Sequence, residues 1–320
     1  MDQRALKGCE VLLFKCAGAK KGEKILVITD DSSKEIGELM YGYASTFTDT
    51  TLVRMSDRKT HGSSPTESVG AAMAASDIIL SATKFSLYNT PARIKACKAG
   101  ARFVNMSDYS MSMLEEGCLF VDFAKTRALV DSTAARIVGK QCTITTPAGT
   151  KFTTSIAGRT AVNGYGIADQ PGMAASPPNI ETAVGPADNS AEGILVIDGS
   201  ILLPGLGVIK EPITVHVSKG YITSIQGGEE AKLLEKSLKD LNDDRVYLIG
   251  EVGFGMNTGG SLCGRMLVDE GVFGTMHIGI GNNLSYGGTN ATPIHIDMLM
   301  RKPTYTVDGK IIYEDGVIIS

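Results

Sequence analysis

The residues best suited to catalysis lie near the C-terminus, in the segment 274–300 (GTMHIGIGNNLSYGGTNATPIHIDMLM), which ends on the triplet His295-Ile296-Asp297 followed by apolar residues. In an extended strand, side chains two residues apart project from the same face, so the imidazole and the carboxylate are expected side by side. His277 lies in an earlier apolar run, and the Asn/Gly-rich residues 282–290 allow the chain to double back. Two histidines and one aspartate that converge predict a metal site. The alternative is that each histidine is a hydrogen-bonded core residue of a buried strand.

Two glutamates could complete such a site. Glu251 follows the apolar run VYLIG and enters a glycine-rich segment, and a carboxylate at the end of a buried strand is costly unless it is paired or coordinated. Glu192 stands just before the apolar run GILVI, a position that also fits a surface turn. The remaining histidines, His61 in a polar loop and His216 on a predicted strand, have no ligand-type neighbour.

Composition limits the class of protein. The 320 residues are 43% hydrophobic and 21% charged, which is typical of a soluble globular protein with about two domains. The net charge of -4 argues against a nucleic-acid partner. The first residues do not resemble a secretory signal, and no apolar segment is long enough for a membrane span. Six scattered cysteines without a CxxC pair predict reduced thiols, and therefore a cytoplasmic protein.

The pattern of the chain predicts two domains. In residues 1–135, short apolar runs such as KILVIT alternate with helical segments, which predicts an α/β scaffold domain with a mostly parallel sheet and flanking helices. It contains neither a G-x-G-x-x-G sequence nor a Walker lysine motif. Residues 136–320 have short alternating strands, glycine turns and long loops, including the irregular stretch 169–190. This part is predicted to be a β-rich α+β domain that carries the metal site and the catalytic residues.

The order of motifs GEVGFGMN, GTMHIGIG, GGTNATPIHID and PTYTVDGKIIYEDG resembles the aminopeptidase T family of metallo-aminopeptidases. The resemblance covers roughly residues 143–320. It implies a cytoplasmic homodimer that removes N-terminal residues from small peptides. It also implies two divalent ions, Zn, Co, Mn or Mg, held by five residues of this chain: Glu192, Glu251, His277, His295 and Asp297.

Under this hydrolase interpretation, the two metals would lower the pKa of a bridging water and polarise the scissile carbonyl. Glu251 would take the proton from that water and pass it to the leaving amine. The family also has a tyrosine shortly after the first histidine. This chain has Leu284 at that offset, and Tyr286 is the nearest tyrosine that could stabilise the oxyanion.

The same fold group includes the 2,5-dihydroxypyridine dioxygenases, which hold a single iron(II) at the matching His-x-Asp corner. His277, His295 and Asp297 would satisfy the two-His-one-carboxylate iron pattern equally well. This alternative would act on a small-molecule substrate. The presence of two further acids, Glu192 and Glu251, favours the hydrolase over the dioxygenase. A third alternative is a metal-binding protein without catalysis.

Overall fold

The computed structural model describes residues 3–319. Its helices are α1 (Gln3–Glu10, continued by the π-helical segment Val11–Cys16), α2 (Lys34–Ala44), α3 (Glu67–Ala74), α4 (Pro91–Lys98), α5 (Met111–Glu115), α6 (Phe123–Ala134), α7 (Glu229–Asp240) and α8 (Met266–Asp269), with short 3-10 turns at Asp244–Tyr247 and Leu284–Tyr286. Its strands are β1 (Ile25–Asp30), β2 (Thr50–Met55), β3 (Ile78–Ala82), β4 (Arg102–Asn105), β5 (Gln141–Thr145), β6 (Lys151–Ser155), β7 (Ala161–Gly164), β8 (Ala174–Ala175), β9 (Glu181–Val184), β10 (Glu192–Ile197), β11 (Ile213–Ser218), β12 (Tyr221–Gln226), β13 (Ile249–Gly255), β14 (Thr275–Gly281), β15 (His295–Arg301), β16 (Thr304–Val307), β17 (Lys310–Glu314) and β18 (Val317–Ile318).

The first structural unit is an α/β unit built on a five-stranded parallel sheet in the order β2-β1-β3-β4-β8. Strands β1, β3 and β4 are buried along their whole length, as expected where helices cover both faces of a parallel sheet. Leu26, Ile28, Ile79 and Phe103 from these strands form a core cluster with residues of the surrounding helices. The predicted α/β fold of the N-terminal region is therefore correct.

The division between the two units differs from the predicted boundary at residues 135 and 136. The first unit ends at Phe123 and also includes Gly164–Pro178, which supplies β8 to the parallel sheet. Helix α6 belongs to the second unit. The sequence of α6 has ordinary helical spacing, and such local spacing does not reveal the unit against which a helix packs.

The second unit is β-rich and contains two sheets. One has eight strands in the order β12-β11-β10-β6-β5-β16-β17-β18, with antiparallel pairing throughout. Strand β5 alternates exposed and buried residues, as expected for a strand with one solvated face. A short turn within residues 146–150 connects the antiparallel strands β5 and β6.

The other sheet of the second unit has the order β15-β14-β13-β9-β7. All seven residues of β13 and all seven of β14 are buried, so polar side chains on these strands must find partners inside the protein. Phe254 of β13 packs against Tyr305 and Tyr313 of the eight-stranded sheet, with ring centroids 4.8 and 5.0 Å apart. These aromatic contacts hold the two sheets of the second unit together. Among residues 3–319, no helix is both long and apolar enough to cross a bilayer.

Candidate metal centre

The imidazoles and carboxylates of interest come from adjacent antiparallel strands of the five-stranded sheet. Strand β13 supplies Glu251, β14 supplies His277, and β15 supplies His295 and Asp297. The pairing register sets Glu251 and Asp297 on either side of Gly279 in the central strand. Nε2 of His295 lies 3.3 Å from Oδ1 of Asp297, so the two side chains share one face of β15, as their spacing predicts.

Two glycines leave room for these imidazoles. A Cβ atom at Gly279 would lie 2.7 Å from Cε1 of His295 and 2.9 Å from Cβ of Glu251. A Cβ atom at Gly253, which pairs with His277 across the strands, would overlap the His277 ring at Nε2. Any larger residue at either position would therefore displace an imidazole.

Glu251 is the centre of the cluster, since each of its oxygens meets a different histidine. Oε2 lies 2.8 Å from Nε2 of His295, and Oε1 lies 3.3 Å from Nε2 of His277. The Glu251 side chain is 1% exposed. A carboxylate so deeply buried is stable only with charged or hydrogen-bonding partners, which the two imidazoles provide.

Two groups of three ligand-type side chains share Glu251. One consists of Glu251, His295 and Asp297, and the other of Glu181, Glu251 and His277, with the ligand atoms of each group within 4.8 Å of one another. Oε2 of Glu181, from the beginning of β9, lies 3.5 Å from Nε2 of His277. Both imidazoles therefore face the same carboxylate from different sides, and neither group contains both of them.

The protonation of His295 can be read from its contacts. Nδ1 donates a hydrogen bond to the carbonyl oxygen of Asn282 at 2.7 Å, and a carbonyl can only accept. In the neutral imidazole, Nε2 would therefore carry a lone pair directed at Glu251 and Asp297, which is unfavourable without a proton or a cation between them. Burial opposes a charged imidazole, but Asp297 and Glu251 raise the pKa of His295 well above its usual range.

The other titratable groups respond to the same crowding of charge. Burial opposes protonation of His277, but the hydrogen bond and charge of Glu251 raise its pKa to about 9. Burial also opposes ionisation of Glu251 and Asp297, yet the histidines hold the pKa of each carboxyl below its ordinary value. For Glu181, burial dominates and raises the pKa to about 7. The cluster thus contains two firmly ionised carboxylates that face two imidazoles.

A further buried acid, Glu270, directly follows α8 and contacts the cluster at Asp297. Its Oε2 accepts a hydrogen bond from Nδ2 of Asn179 at 2.9 Å, and its carboxyl group hydrogen-bonds to Asp297. Burial, followed by the charges of Asp297 and Glu181, raises the pKa of Glu270 well above its usual range. A protonated Glu270 donates to Asp297 and so orients that carboxylate.

Residues 282–290, here called the Tyr286 loop, connect β14 to β15 and cover one side of the cluster. The ring of Tyr286 stacks on the imidazole of His295, with centroids 5.6 Å apart and planes 25° apart. Burial, and then the charge of Glu251, raises the pKa of Tyr286 well above its usual range. Leu284, at the offset where the aminopeptidase resemblance expected a tyrosine, is 54% exposed.

Glu192 is the one predicted metal ligand that the structure does not bring to the cluster. It is exposed at the start of β10, where its Oε1 accepts a hydrogen bond from the backbone N–H of Lys219 at 2.8 Å. Strand β10 pairs with β6 and β11 in the eight-stranded sheet, so Glu192 lies on a different sheet from the histidines. The second glutamate near the histidines is Glu181. The prediction of Glu192 as a metal ligand is corrected accordingly.

Glu181 and Glu270 were not predicted as site residues from the sequence. Glu181 lies in the stretch 169–190, which has no regular periodicity, and its strand β9 has four residues. Glu270 follows the four-residue helix α8 in the sequence DEG. The sequence contained one indication of Glu181, namely an acidic residue at the start of ETAV, a short run with two β-branched residues.

His61 is not part of the cluster. It accepts a hydrogen bond from the backbone N–H of Ser86 in the first unit, and it belongs to neither ligand group.

The donor set fits a divalent cation. The buried oxygen Oδ1 of Asp297 has no hydrogen-bond partner in the described part of the chain, although it lies close to Nε2 of His295. Both Nε2 atoms face carboxylate oxygens, the arrangement that a cation between them would stabilise. Imidazole and carboxylate donors suit Fe(II), Zn(II), Co(II) and Mn(II).

Solved structures with the same fold come from two kinds of enzyme. The structure of 2,5-dihydroxypyridine dioxygenase from Pseudomonas putida is similar with a TM-score of 0.84 and 23% identity, covering 100% of this chain and 99% of that one. AmpT from Thermus thermophilus is similar with a TM-score of 0.70 and 16% identity, covering the whole of both chains. At these identities the likeness establishes the two-domain fold alone.

Sequence comparison separates the two enzymes. A curated 2,5-dihydroxypyridine 5,6-dioxygenase of Pseudomonas putida is 35% identical over 183 residues, which is 54% of this chain and about half, 52%, of that relative. The family model described as NicX, 2,5-dihydroxypyridine 5,6-dioxygenase, matches residues 11–320. The prediction of a hydrolase of the aminopeptidase type, with protease activity on peptides, is therefore wrong, because it rested on donor types and a fold that both enzymes share. The chain belongs to the 2,5-dihydroxypyridine 5,6-dioxygenase family.

Proposed function

We propose that this protein is an iron(II)-dependent dioxygenase that opens a dihydroxylated pyridine ring, with 2,5-dihydroxypyridine as the substrate to test first. The observation that carries the proposal is the convergence of both imidazole Nε2 atoms on the buried carboxylate of Glu251, with Asp297 beside them. Family membership supports the reaction type. In such a reaction both atoms of O₂ enter the product as the bond between ring carbons 5 and 6 breaks, so no external reductant is consumed.

The residues proposed to hold the iron are His277, His295 and Asp297, which together have the two-His-one-carboxylate composition of oxygen-activating iron sites. The two imidazoles belong to different ligand groups of the metal-free protein, and Glu251, which bonds both of them, joins these groups. When bound, Fe(II) would supply the site for O₂ and for an oxygen atom of the substrate. The hydrogen bond from Nδ1 of His295 to Asn282 leaves Nε2 as the donor atom, and the contact between Glu270 and Asp297 orients the carboxylate.

Accessibility separates the roles of the acids. The Glu251 and Asp297 side chains are 1% and 7% exposed, whereas Glu181 is 18% exposed. Glu181 is therefore the carboxylate that a substrate can approach from solvent. We assign it the role of accepting a proton from a ring hydroxyl group of the substrate at its Oε atoms, which makes the ring more electron-rich.

Tyr286 is proposed to stabilise negative charge that develops on the substrate. Its half-buried side chain lies beside His295, and its raised pKa keeps the hydroxyl group protonated at neutral pH. It can therefore donate a hydrogen bond to an oxygen that gains negative charge as the ring opens. Glu251, buried between both imidazoles, is assigned to holding them in place.

The test is oxygen uptake by protein reconstituted anaerobically with Fe(II) and then mixed with 2,5-dihydroxypyridine and O₂. We expect one O₂ consumed per ring opened, with loss of the ultraviolet absorbance of the aromatic ring. His295→Ala should remove the activity and the bound iron, while the Glu192→Gln variant, changed on an exposed residue of another sheet, should keep both. Iron binding without oxygen uptake would contradict the proposed function.

The proposal includes a small-molecule substrate as the partner of the protein. The oligomeric state and the cellular location are two further predictions from the sequence. The sequence resemblance implied a homodimer, which light scattering during size-exclusion chromatography will test. The scattered cysteines predicted a cytoplasmic protein. Cys9, Cys16, Cys97, Cys118 and Cys142 are buried free thiols and Cys263 is an exposed one.

A further inference from the structure

The Tyr286 loop determines how His295 is presented. It supplies the Asn282 carbonyl that accepts from Nδ1 of His295, and it supplies the aromatic ring that stacks on the imidazole. A shift of this loop would therefore move the tyrosine hydroxyl group and tilt His295 together. The residues that hold the loop in place can influence the chemistry without touching the substrate.

Asn283 closes the loop from within. It is buried, its backbone N–H donates to the Asn290 carbonyl at 3.1 Å, and its Oδ1 accepts from the Asn290 N–H at 2.8 Å. The N–H groups of Tyr286 and Gly288 both donate to the Asn283 carbonyl. These bonds define the shape of the loop, and the Asn290 side chain attaches one end of it to the second unit, because its Nδ2 donates to the Arg245 carbonyl at 2.8 Å.

Arg159, which lies just before β7, supplies a second attachment, at residues 287–289 of the loop. The side chain is 16% exposed, and its Nη1 lies 3.1 Å from the point that a Cβ atom of Gly287 would occupy. Its Nη2 donates to Oδ1 of Asp188 at 3.3 Å, while Oδ2 of Asp188 accepts from the hydroxyl group of Thr289 at 3.3 Å. The guanidinium group thus lies beside Gly287 and is linked to Thr289 through Asp188.

The loop is packed too closely at this point to shift freely. Gly185, which follows β9, lies against the backbone carbonyl of Tyr286, and a Cβ atom at Gly185 would overlap it. Gly287 has φ of +78°, a left-handed conformation that favours glycine. The absence of a side chain at Gly287 also leaves the space in which the Arg159 guanidinium lies.

We infer that Arg159 is a positioning residue for the proposed reaction: by holding the Tyr286 loop through Gly287 and Asp188, it fixes the orientation of Tyr286 and His295. This inference rests on the proposed function for its kinetic consequences. It also has a structural consequence, the order of the loop, that can be measured without turnover.

The principal variant is Arg159→Met, which keeps the apolar stem and removes the guanidinium group. Its matched control is Arg54→Met, because Arg54 also forms an ion pair with an aspartate, Asp31, but is half exposed and belongs to the first unit. Hydrogen exchange of a peptide covering residues 282–290 should be about fivefold faster in Arg159→Met than in the wild type or the control. Arg159→Lys keeps the charge opposite Asp188 and should give an intermediate rate, which provides a second variant if the first does not fold.

The kinetic measurement asks whether Arg159 acts through Tyr286. We expect Arg159→Met to lower kcat about tenfold with little change in KM, because the displaced groups act in the chemical step. The double variant Arg159→Met/Tyr286→Phe should be slower than Tyr286→Phe alone by clearly less than tenfold, because the tyrosine hydroxyl group through which Arg159 partly acts is already absent. Independent, additive losses of kcat, or a loop that exchanges as slowly as in the Arg54→Met control, would overturn the inference.

A failure of the proposed function gives a different pattern. If the wild type opens no pyridine ring, the visible absorption spectrum of the Co(II)-substituted protein replaces kcat as the measure of His295 orientation. Faster loop exchange together with a changed cobalt spectrum in Arg159→Met would then support the positioning role without the dioxygenase reaction. An unchanged cobalt spectrum would overturn it.

Discussion

The substitution Gly279→Ala tests whether the cluster depends on close packing between strands. The new methyl group would lie 2.7, 2.8 and 2.9 Å from Cε1 of His295, Nε2 of His295 and Cβ of Glu251, whereas ordinary van der Waals contact begins at 3.4 Å. The surrounding side chains would have to move by about half an ångström or more. Because these neighbours belong to the site itself, the metal donors must take up the movement.

The expected magnitude follows from this overlap. An additional methyl group in a packed interior costs roughly 1–3 kcal/mol of folding free energy. For a unit of this size that cost corresponds to a fall of roughly 2–12 °C in the thermal midpoint of the metal-free protein. Metal affinity should fall by at least about 100-fold, because displacing His295 disrupts the ligand geometry directly.

The assay pairs a Co(II) titration with thermal unfolding of the chelated protein. The control is Gly42→Ala in α2, where a Cβ atom would meet nothing within 4 Å, and where alanine favours the helix. Gly42→Ala should unfold at the same or a slightly higher temperature and bind cobalt normally. If Gly279→Ala loses stability while its cobalt affinity is unchanged, the cluster is a structural feature of the sheet rather than a metal centre.

Three further predictions concern the acids and the imidazoles. Glu251→Gln should weaken Co(II) binding strongly, and Glu192→Gln should leave it unchanged in the same titration. The pKa of His277 is raised to about 9 from an ordinary 6.5, so its contribution to the stability of the metal-free protein is complete below pH 6.5 and is lost as the pH rises through 9. The thermal midpoint of the chelated protein should therefore fall between about pH 6.5 and pH 9. A midpoint that stays constant over this pH range would contradict the prediction. Glu270→Gln, which can still donate to Asp297, should retain iron at occupancies close to those of the wild type, whereas Glu270→Ala should lose iron about 10- to 100-fold more readily in chelator competition.

Residues set by local periodicity were predictable from the sequence. The alternation of side chains along a strand is enough to place His295 and Asp297 on one face. The cost of burying a carboxylate identified Glu251, and the Asn/Gly-rich residues 282–290 indicated the reversal that brings His277 into the cluster. Each of these inferences depends on the composition of a short segment rather than on which distant strands pair.

The choice between Glu181 and Glu192 depended on long-range strand pairing instead. Each glutamate precedes an apolar run, and the run after Glu192 is the longer and more strand-like of the two. What decides the matter is that β9 pairs with β13, with Glu181 opposite Gly255, whereas β10 joins the other sheet. Local patterns do not specify which sheet a strand enters, and the resemblance to the aminopeptidase T family assigned the second glutamate to Glu192.

The hydrolase prediction failed for a chemical reason. It treated acids beyond the two-His-one-carboxylate set as evidence for a second metal, but the structure gives those acids other partners. Glu251 bonds both imidazoles, Glu270 orients Asp297, and Glu181 remains partly exposed to solvent. An additional carboxylate is therefore not diagnostic of an additional cation.

The balance of charge in the cluster suits the binding of a divalent cation. The low pKa values of Glu251 and Asp297 keep both carboxylates ionised, while Glu181 titrates near pH 7 and the raised pKa of Glu270 keeps it neutral. In the metal-free protein the two carboxylates are balanced by two protonated imidazoles. One divalent cation can replace those two protons without changing the net charge of the buried cluster. The electrostatics of the site thus agree with the single iron(II) of the proposed function.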